Sequence, residues 1–200
     1  IINRLMINYI KKTYFFSFMK PNIVCIGGGT GQSEILRGLK EYDCNITAIV
    51  AVTDSGRSTG VIRKNFDIPA PGDLRNCLVA LSESEPLLKD VFQYRFRAGG
   101  ELKGMSTGNL LLTAMTKVEG SLGKGIKHMS KILRIKGKVL PSTEKNTHVC
   151  AELKDGTIVE EELNVRAPNK SPIKTIFLKD KDTKATPDAI KAINKADLIL

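Results

Sequence analysis

Two short segments near the start of the chain, NIVCIG (22–27) and ITAIVAVT (46–53), are apolar throughout rather than alternately apolar and polar. Strands of a parallel sheet that are covered on both faces have this pattern. A glycine-rich turn lies between them, followed by GQSEILRGLKEY (31–42), whose apolar residues recur at helical spacing. The order strand, glycine turn, helix, strand predicts the opening of a doubly wound α/β sheet.

Four more segments have helical periodicity, and the pattern then changes. We predict helices at 72–83, 86–96, 107–118 and 121–134. Between 136 and 180 the alternation is typical of short strands, and Asp155-Gly156 predicts a hairpin turn. The segment 186–200 returns to a helix, with Thr186 as its N-cap, and then to a strand. The predicted fold class is therefore α/β: a Rossmann-like, doubly wound, mostly parallel sheet with a small β-rich subregion near 136–180.

The two ends differ from this core. Residues 1–18 contain three basic residues and no acidic residue, and they precede Met19, so we expect a non-native or disordered upstream extension there. The apolar strand ADLIL (196–200) stops without a turn, although such a strand normally leads into a further helix. The sequence thus predicts one Rossmann-type domain over 19–200 that is incomplete at its C-terminus.

Composition adds a constraint on partners. With 42% hydrophobic and 26% charged residues, the 200-residue chain is typical of a soluble globular protein. Lys and Arg outnumber Asp and Glu by 31 to 21, a net charge of +10. An excess of this size favours an anionic partner, which can be a nucleic acid, a membrane surface or a phosphate group. Composition does not choose among the three.

The cysteines and histidines lack the spacing of a metal site. Cys25, Cys44, Cys77 and Cys150 form no CxxC pair, and their apolar surroundings predict small buried residues in a reducing, cytoplasmic compartment. His128 and His148 have no carboxylate or cysteine at metal-ligand spacing, so we expect surface or packing roles for both. We therefore predict no metal site, and Asp54 is the one weak candidate for contact with an ion.

Four loops that combine glycine with polar residues carry the candidate chemistry. They are GGGTG (27–31), TDSGRSTG (53–60), PGDLRN (71–76) and GMSTGN (104–109). Glycines and a helix start present N–H groups to a phosphate, and Asp54 can accept from a sugar hydroxyl. Each loop alone could be a structural turn or cap, but four in one α/β chain predict a shared site. The predicted binding residues are Gly28, Gly29, Thr30, Gly31, Asp54, Ser55, Ser58, Gly72, Asp73, Arg75, Asn76, Ser106 and Asn109.

Taken together, these motifs and the later segments FQYRF, KGKVLPST and AIKAINKADLIL resemble the CofD/YvcK-like family. That family joins 2-phospho-L-lactate transferases and gluconeogenesis (morphogenesis) factors, and the second branch looks closer. The resemblance runs from about Asn22 to Leu200. It implies a cytoplasmic, Rossmann-like regulatory protein that binds a nucleotide ligand of the UDP-sugar type and is linked to cell shape. The alternative that it implies is an enzyme that transfers phospholactate to a deazaflavin precursor with Mg²⁺.

Three departures from the family pattern bear on this choice. Asp54 is followed by Ser55, where relatives often have two acids, and the loss of a carboxylate weakens a Mg²⁺ site. Met105 stands where relatives commonly have a histidine. The Gly-Pro-Gly-Ser segment that follows the last strand in the family is absent. Whether this chain is an enzyme therefore stays open.

Other function classes fit less well. An NAD(P)-dependent oxidoreductase is suggested by the strand-glycine-helix start alone, and its GxGxxG fingerprint fails at Gln32. A nucleic-acid role would rest on net charge alone, since few aromatic residues accompany the lysines. We therefore expect a small nucleotide-type ligand, no nucleic acid and no membrane as partners, and the sequence leaves a homo-oligomer open.

Overall fold

Four parallel strands form the central sheet, in the order β3-β2-β1-β7. The structure is a computed structural model that describes residues 20–98 and 100–200, and the extension predicted for 1–18 lies outside them. In this sheet Cys25 pairs with Ala48, so β1 and β2 end side by side. The strands of the central sheet are β1 (Asn22–Gly27), β2 (Asn45–Val50), β3 (Lys138–Pro141) and β7 (Leu198–Ile199).

Eight α-helices accompany the sheets in the described residues. They are α1 (Gly29–Leu39), α2 (Arg57–Phe66), α3 (Gly72–Leu81), α4 (Pro86–Gln93), α5 (Thr107–Glu119), α6 (Leu122–Ile132), α7 (Glu162–Arg166) and α8 (Pro187–Asn194). In the part of the chain that the structure describes, no helix is both long enough and apolar enough to cross a membrane. The predicted opening of strand, helix and parallel strand is confirmed.

The continuous apolar pattern of β1 and β2 reflects burial on both faces of the sheet. Ile23 and Cys25 face a core that includes Leu36 of α1 and Leu74 of α3. Val24, on the opposite face, packs with residues of β2 and α8. A fully buried leucine stabilises the fold by about 2 kcal/mol relative to an exposed one, so these contacts hold the strand ends in place.

The small β-rich subregion is a separate antiparallel sheet in the order β5-β4-β6. Its strands are β4 (Val149–Leu153), β5 (Ile158–Glu160) and β6 (Ile173–Leu178). The predicted hairpin at Asp155-Gly156 joins β4 to β5, and Gly156 has the positive φ of 86° that this turn needs. The subregion is narrower than predicted because β3 pairs with β2 in the central sheet.

Two local predictions differ from the structure. Thr186 is the N-cap residue of α8, but its hydroxyl donates to the carbonyl of Pro141 (2.9 Å) instead of capping the helix. The helix predicted to reach residue 96 ends at Gln93. After it, the N–H of Phe96 donates to the carbonyl of Met105, and Arg95 forms an antiparallel bridge with Ser106. These backbone hydrogen bonds end the helix before residue 96, although the sequence there has helical periodicity. They also bring Arg95 next to the start of α5.

Two helical glycines provide a matched test of packing. A Cβ on Gly60 would lie 2.3 Å from the carbonyl oxygen of Ser55, whereas one on Gly38 would meet nothing within 4 Å. We expect Gly60→Ala to lower the free energy of unfolding by about 1–3 kcal/mol. Gly38→Ala should raise it by about 0.5–1 kcal/mol, because alanine restricts the unfolded chain. Urea unfolding measures both, and equal effects would contradict the close approach at Gly60.

Candidate ligand site at the carboxyl ends of the strands

The glycine turn after β1 lies against the start of α3. Gly28 is extended, while Gly29 has a left-handed φ of 68°, a conformation that favours glycine. A Cβ on Gly28 would lie 2.9 Å from Oδ2 of Asp73. The backbone N–H of Gly29 is close enough to the Asp73 carboxyl to lower its pKa. Gly28, Gly29 and Asp73, which the sequence assigned to one site, are therefore brought together.

A buried amide joins this turn to both central strands. Nε2 of Gln32 donates to the carbonyls of Cys25 (2.9 Å) and Ile49 (3.1 Å), which belong to β1 and β2. Gln32 stands where the dinucleotide fingerprint would have its last glycine. Sequence reasoning used this residue only to exclude that fingerprint and missed its structural role. A polar residue in an otherwise apolar helix face was the available signal.

Asp54 and Asp73 place two carboxylates near each other. Oδ1 of Asp54 accepts from the N–H of Gly56 (2.8 Å), and a Cβ on Gly72 would lie 3.6 Å from Oδ2 of Asp54. Burial raises the pKa of Asp73, and the negative charge of Asp54 raises it further. The N–H of Gly29 and the positive charge of Arg75 act in the opposite direction. The pair can accept from ligand hydroxyls or hold a cation.

Arg63, which the sequence analysis did not single out, fixes the loop that carries Asp54. Its Nη1 donates to the carbonyls of Thr53 (3.3 Å) and Asp54 (3.2 Å). Nη2 donates to the carbonyl of Thr147 (2.7 Å), and Nε donates to Oδ1 of Asn146 (3.1 Å). Burial lowers the pKa of Arg63, although Glu161 and Asp54 oppose this shift. Asn146 and Thr147 lie 83 and 84 residues from Arg63 in the sequence, so only the tertiary structure reveals these two contacts.

The opposite side of the site is basic. Arg75 packs over the first turn of α5, where a Cβ on Gly108 would lie 2.8 Å from Cδ of Arg75. Nη1 of Arg95 donates to Oγ of Ser58 (3.1 Å) and to the carbonyl of Gly104 (2.6 Å). Burial lowers the pKa of Arg75, the nearby charge of Arg95 lowers it further, and Asp73 opposes both effects. Arg95, missed at the sequence level although it lies in FQYRF, thus joins the site.

Two buried side-chain atoms at this site have no hydrogen-bond partner. Among the described residues, Nε of Arg75 and Oδ1 of Asn109 are the buried side-chain nitrogen or oxygen atoms left without one. Native proteins pair nearly all such atoms, so an unpaired donor and an unpaired acceptor require an explanation. Both belong to residues that the sequence predicted as ligand contacts.

Several predicted residues also have local contacts. Oγ of Ser106 accepts from the N–H of Asn109 (3.3 Å) as the N-cap of α5, and Oγ of Ser55 accepts from the N–H of Leu163 (3.1 Å). Oδ1 of Asn76 accepts from Nη2 of Arg75 (2.6 Å). Thr30 and Gly31 are exposed in the first turn of α1. The structure thus gives Ser55 and Ser106 a structural contact each, while their ligand-binding role stays a prediction.

A second polar cluster lies on the small sheet. Nε2 of His148 is 3.1 Å from Oε2 of Glu160, and potential ligand atoms of His148, Cys150 and Glu160 all lie within 4.8 Å of one another. Sequence spacing did not reveal this cluster, because it forms only when β4 and β5 pair Cys150 with Glu160. The expected surface or packing role of His148 stays a prediction. Lys179 pairs with Oε1 of Glu160. The Lys179 ammonium already neutralises the Glu160 carboxylate, and its positive charge would repel a metal cation bound at this cluster.

The Asp73 carboxyl predicts a pH dependence of stability. Its raised pKa means that the folded state keeps this proton to a higher pH than the unfolded state, so its ionisation lowers stability as pH rises. Asp73→Asn removes this effect. The unfolding free energy of the variant, relative to the native chain, should therefore increase between about pH 4 and pH 7. Asp90→Asn is the exposed control, and a parallel change in both variants would contradict the assignment.

Because the Arg63 guanidinium makes four hydrogen bonds, we expect its removal to lower the stability of the fold strongly. Arg63→Met leaves three backbone carbonyls and one side-chain amide oxygen without their donor, which should cost about 3 kcal/mol in urea unfolding. Lys64→Met removes only an exposed ion pair with Glu161 (3.2 Å) and should cost less than about 1 kcal/mol. A similar loss in both variants would show that the Arg63 network does not hold the loop.

Comparison with known proteins agrees with this architecture. The chain is 51% identical over 181 residues to the gluconeogenesis factor of Halalkalibacterium halodurans, covering 90% of this chain and 56% of that protein. It is 45% identical to the gluconeogenesis factor of Bacillus subtilis, covering 90% of this chain and 57% of that one. The chain therefore spans little more than half the length of these relatives.

A solved structure and a family model give the same result. A crystal structure of a Bacillus halodurans protein superposes with a TM-score of 0.88 at 51% identity, over 90% of this chain and 58% of that one. A second crystal structure from the same species, described as a member of the UPF0052 family, has a TM-score of 0.86 at 52% identity and covers the same shares of the two chains. The family model described as 2-phospho-L-lactate transferase CofD matches residues 23–200. The chain belongs to the CofD family.

Proposed function

We propose that this protein is a gluconeogenesis factor that binds a nucleotide ligand of the UDP-sugar type and acts as a regulatory protein. The observation that carries the proposal is the pair of unpartnered buried atoms, Nε of Arg75 and Oδ1 of Asn109. A ligand with both acceptor and donor groups would satisfy them once the side chains that bury these atoms move aside. The names of the relatives support the physiological role.

The basic side of the site suits a diphosphate. The guanidiniums of Arg75 and Arg95 are close enough to lower the pKa of Arg75, and an anion between them would relieve that repulsion. The first turn of α5, over which Arg75 packs, adds the positive end of a helix dipole. The exposed start of α1 at Thr30 and Gly31 offers backbone donors to a phosphate.

The acidic side of the site suits the hydroxyls of a sugar. Asp54 and Asp73 present acceptors, and a hydroxyl that donates to both would lessen their mutual repulsion. Acidic and basic side chains close to one another match a ligand that carries hydroxyls and phosphates. These side chains follow the carboxyl ends of parallel strands, where open α/β sheets bind their ligands. The four free cysteines suit a cytoplasmic location.

Calorimetry of the full chain with UDP-glucose, NAD and GTP tests the proposal. We expect UDP-glucose to bind, and Arg95→Gln to weaken that binding about tenfold or more, because a charge-assisted contact to phosphate is lost. Arg97→Gln, two residues along at an exposed position, should bind like the native chain. Arg75→Lys, which keeps the charge but loses the planar fork, should also weaken binding.

The outcomes separate the alternatives. Binding of none of the three nucleotides would overturn the proposal, as would equal losses in the Arg95 and Arg97 variants. Unfolding midpoints measured on the same samples separate loss of binding from loss of folding. Tighter binding of NAD than of UDP-glucose would favour an oxidoreductase-type cofactor site.

The second candidate function is transfer of a phospholactyl group, which the description of the family model suggests. The adjacent carboxylates of Asp54 and Asp73 favour it: Asp73 supplies the second acid that Ser55 does not. These oxygens fit Mg²⁺, which would offset the charge on the phosphates of an activated donor. Transfer to a deazaflavin acceptor that requires Mg²⁺ and is abolished in Asp54→Asn would favour this enzyme over the regulatory protein.

A further inference from the structure

A groove of about 950 Å³ runs along the outer edge of β3, between α6 and α8. It extends from β3, the terminal strand of the central sheet, to Thr47 of β2 and to Asn22 and Val24 of β1. The thirteen residues predicted for the ligand site are all described by the structure, and none of them lines this groove. The groove is therefore a separate surface.

The lining of this groove is strongly basic. Seven of the residues that line it are Lys or Arg and two are Asp or Glu, an excess of five positive charges. The whole chain has a net charge of +10, so this one groove carries half of that excess. The positive charge of the chain is concentrated rather than spread over its surface.

Two helices present the charges towards each other. Lys124, Lys127 and Lys131 follow at helical spacing on one face of α6. Lys191 and Lys195, four residues apart at the end of α8, lie on the other wall. Between the walls, Lys138 begins β3 and Arg134 leads into it. An anion in the groove would meet ammonium groups from both sides.

The acidic residues of the groove do not neutralise these charges. Glu144 accepts from Oγ of Ser121 and from the N–H of Gly123 at the start of α6, and Asp188 lies 3.9 Å from Lys191. Among the described residues, no acidic partner pairs with the other six basic residues.

Local preferences account for only some of these charges. The helix dipole favours Lys131 and Lys191, which lie in the last turns of α6 and α8, but it disfavours Lys124 in the first turn of α6. Arg134 has a left-handed φ of 48°, where glycine or asparagine is the usual residue. Lys124 and Arg134 thus occupy positions that helix and backbone preferences do not explain.

We propose that this groove binds a small soluble ligand that carries several phosphate groups. Lysine ammonium groups recognise phosphate as flexible point charges, and several of them together suit a ligand with several anionic groups. The volume of the groove is at the upper end of small-ligand sites. Among the described residues that line it, none is aromatic, so it offers no surface on which nucleobases stack.

The test uses pyrophosphate and tripolyphosphate as probes in calorimetry of the full chain. We expect the groove to bind tripolyphosphate more tightly than pyrophosphate. The double variant Lys127→Glu with Lys131→Glu should bind about tenfold more weakly or worse, since two attractive charges become repulsive. Lys103→Glu with Lys117→Glu is the matched control: it changes net charge equally at exposed positions outside the groove.

Each outcome decides for or against the groove. A loss in the Lys127/Lys131 variant that is absent from the Lys103/Lys117 control supports the proposal. Equal losses in both double variants would show general attraction to net charge and overturn it. A loss confined to Arg95→Gln would place the probe in the strand-end site and overturn it too. The proposal would also be overturned if tripolyphosphate did not bind, or if a short oligothymidylate bound more tightly than tripolyphosphate. Groove variants with glutamine in place of glutamate guard against misfolding.

Discussion

The hydrogen bonds of the Gln32 amide hold the carboxyl ends of β1 and β2 together, and the loops of the candidate site follow from where those strands end. In a parallel sheet, the carboxyl ends of all strands lie at the same end of the sheet, so the loops that follow them begin there. The glycine turn and the Asp54 loop therefore leave the sheet side by side. Core packing of α1 and α3 on one face then brings Asp73 up to the glycine turn. The site is a consequence of this strand register.

Charge within the site is arranged at a cost to folding. Asp73 is held beside Asp54, and Arg75 beside Arg95, so each pair opposes full ionisation of a buried member. Such arrangements persist where function requires them, because folding alone would favour neutral or paired groups. Arg63 shows the contrast: it is buried too, but backbone carbonyls satisfy its donors. Arg63 supports the loop, whereas Arg75 is left with an unpaired nitrogen.

The groove beside β3 accounts for much of the net positive charge of the chain. A positive excess read from composition favours anions in general. Its location on α6 and α8 separates it from the strand-end site, which contains acids and arginines in balance. The molecule therefore has two surfaces of different chemistry: a strand-end site that holds both acids and arginines, and a groove in which seven basic residues outnumber two acidic ones. The positive net charge of the chain therefore reflects mainly the residues of the groove.

The sequence by itself determined the strand-turn-helix opening, the hairpin at Asp155-Gly156 and the loops that form the site, because apolar periodicity and glycine turns are local properties. It also placed Gly28, Asp54, Asp73 and Arg75 in one group. Only the tertiary structure decided that Arg63 and Arg95 belong with them, that His148 meets Glu160, and that β3 joins the central sheet. These contacts link residues far apart in the chain, and their free energy depends on packing that no local pattern encodes.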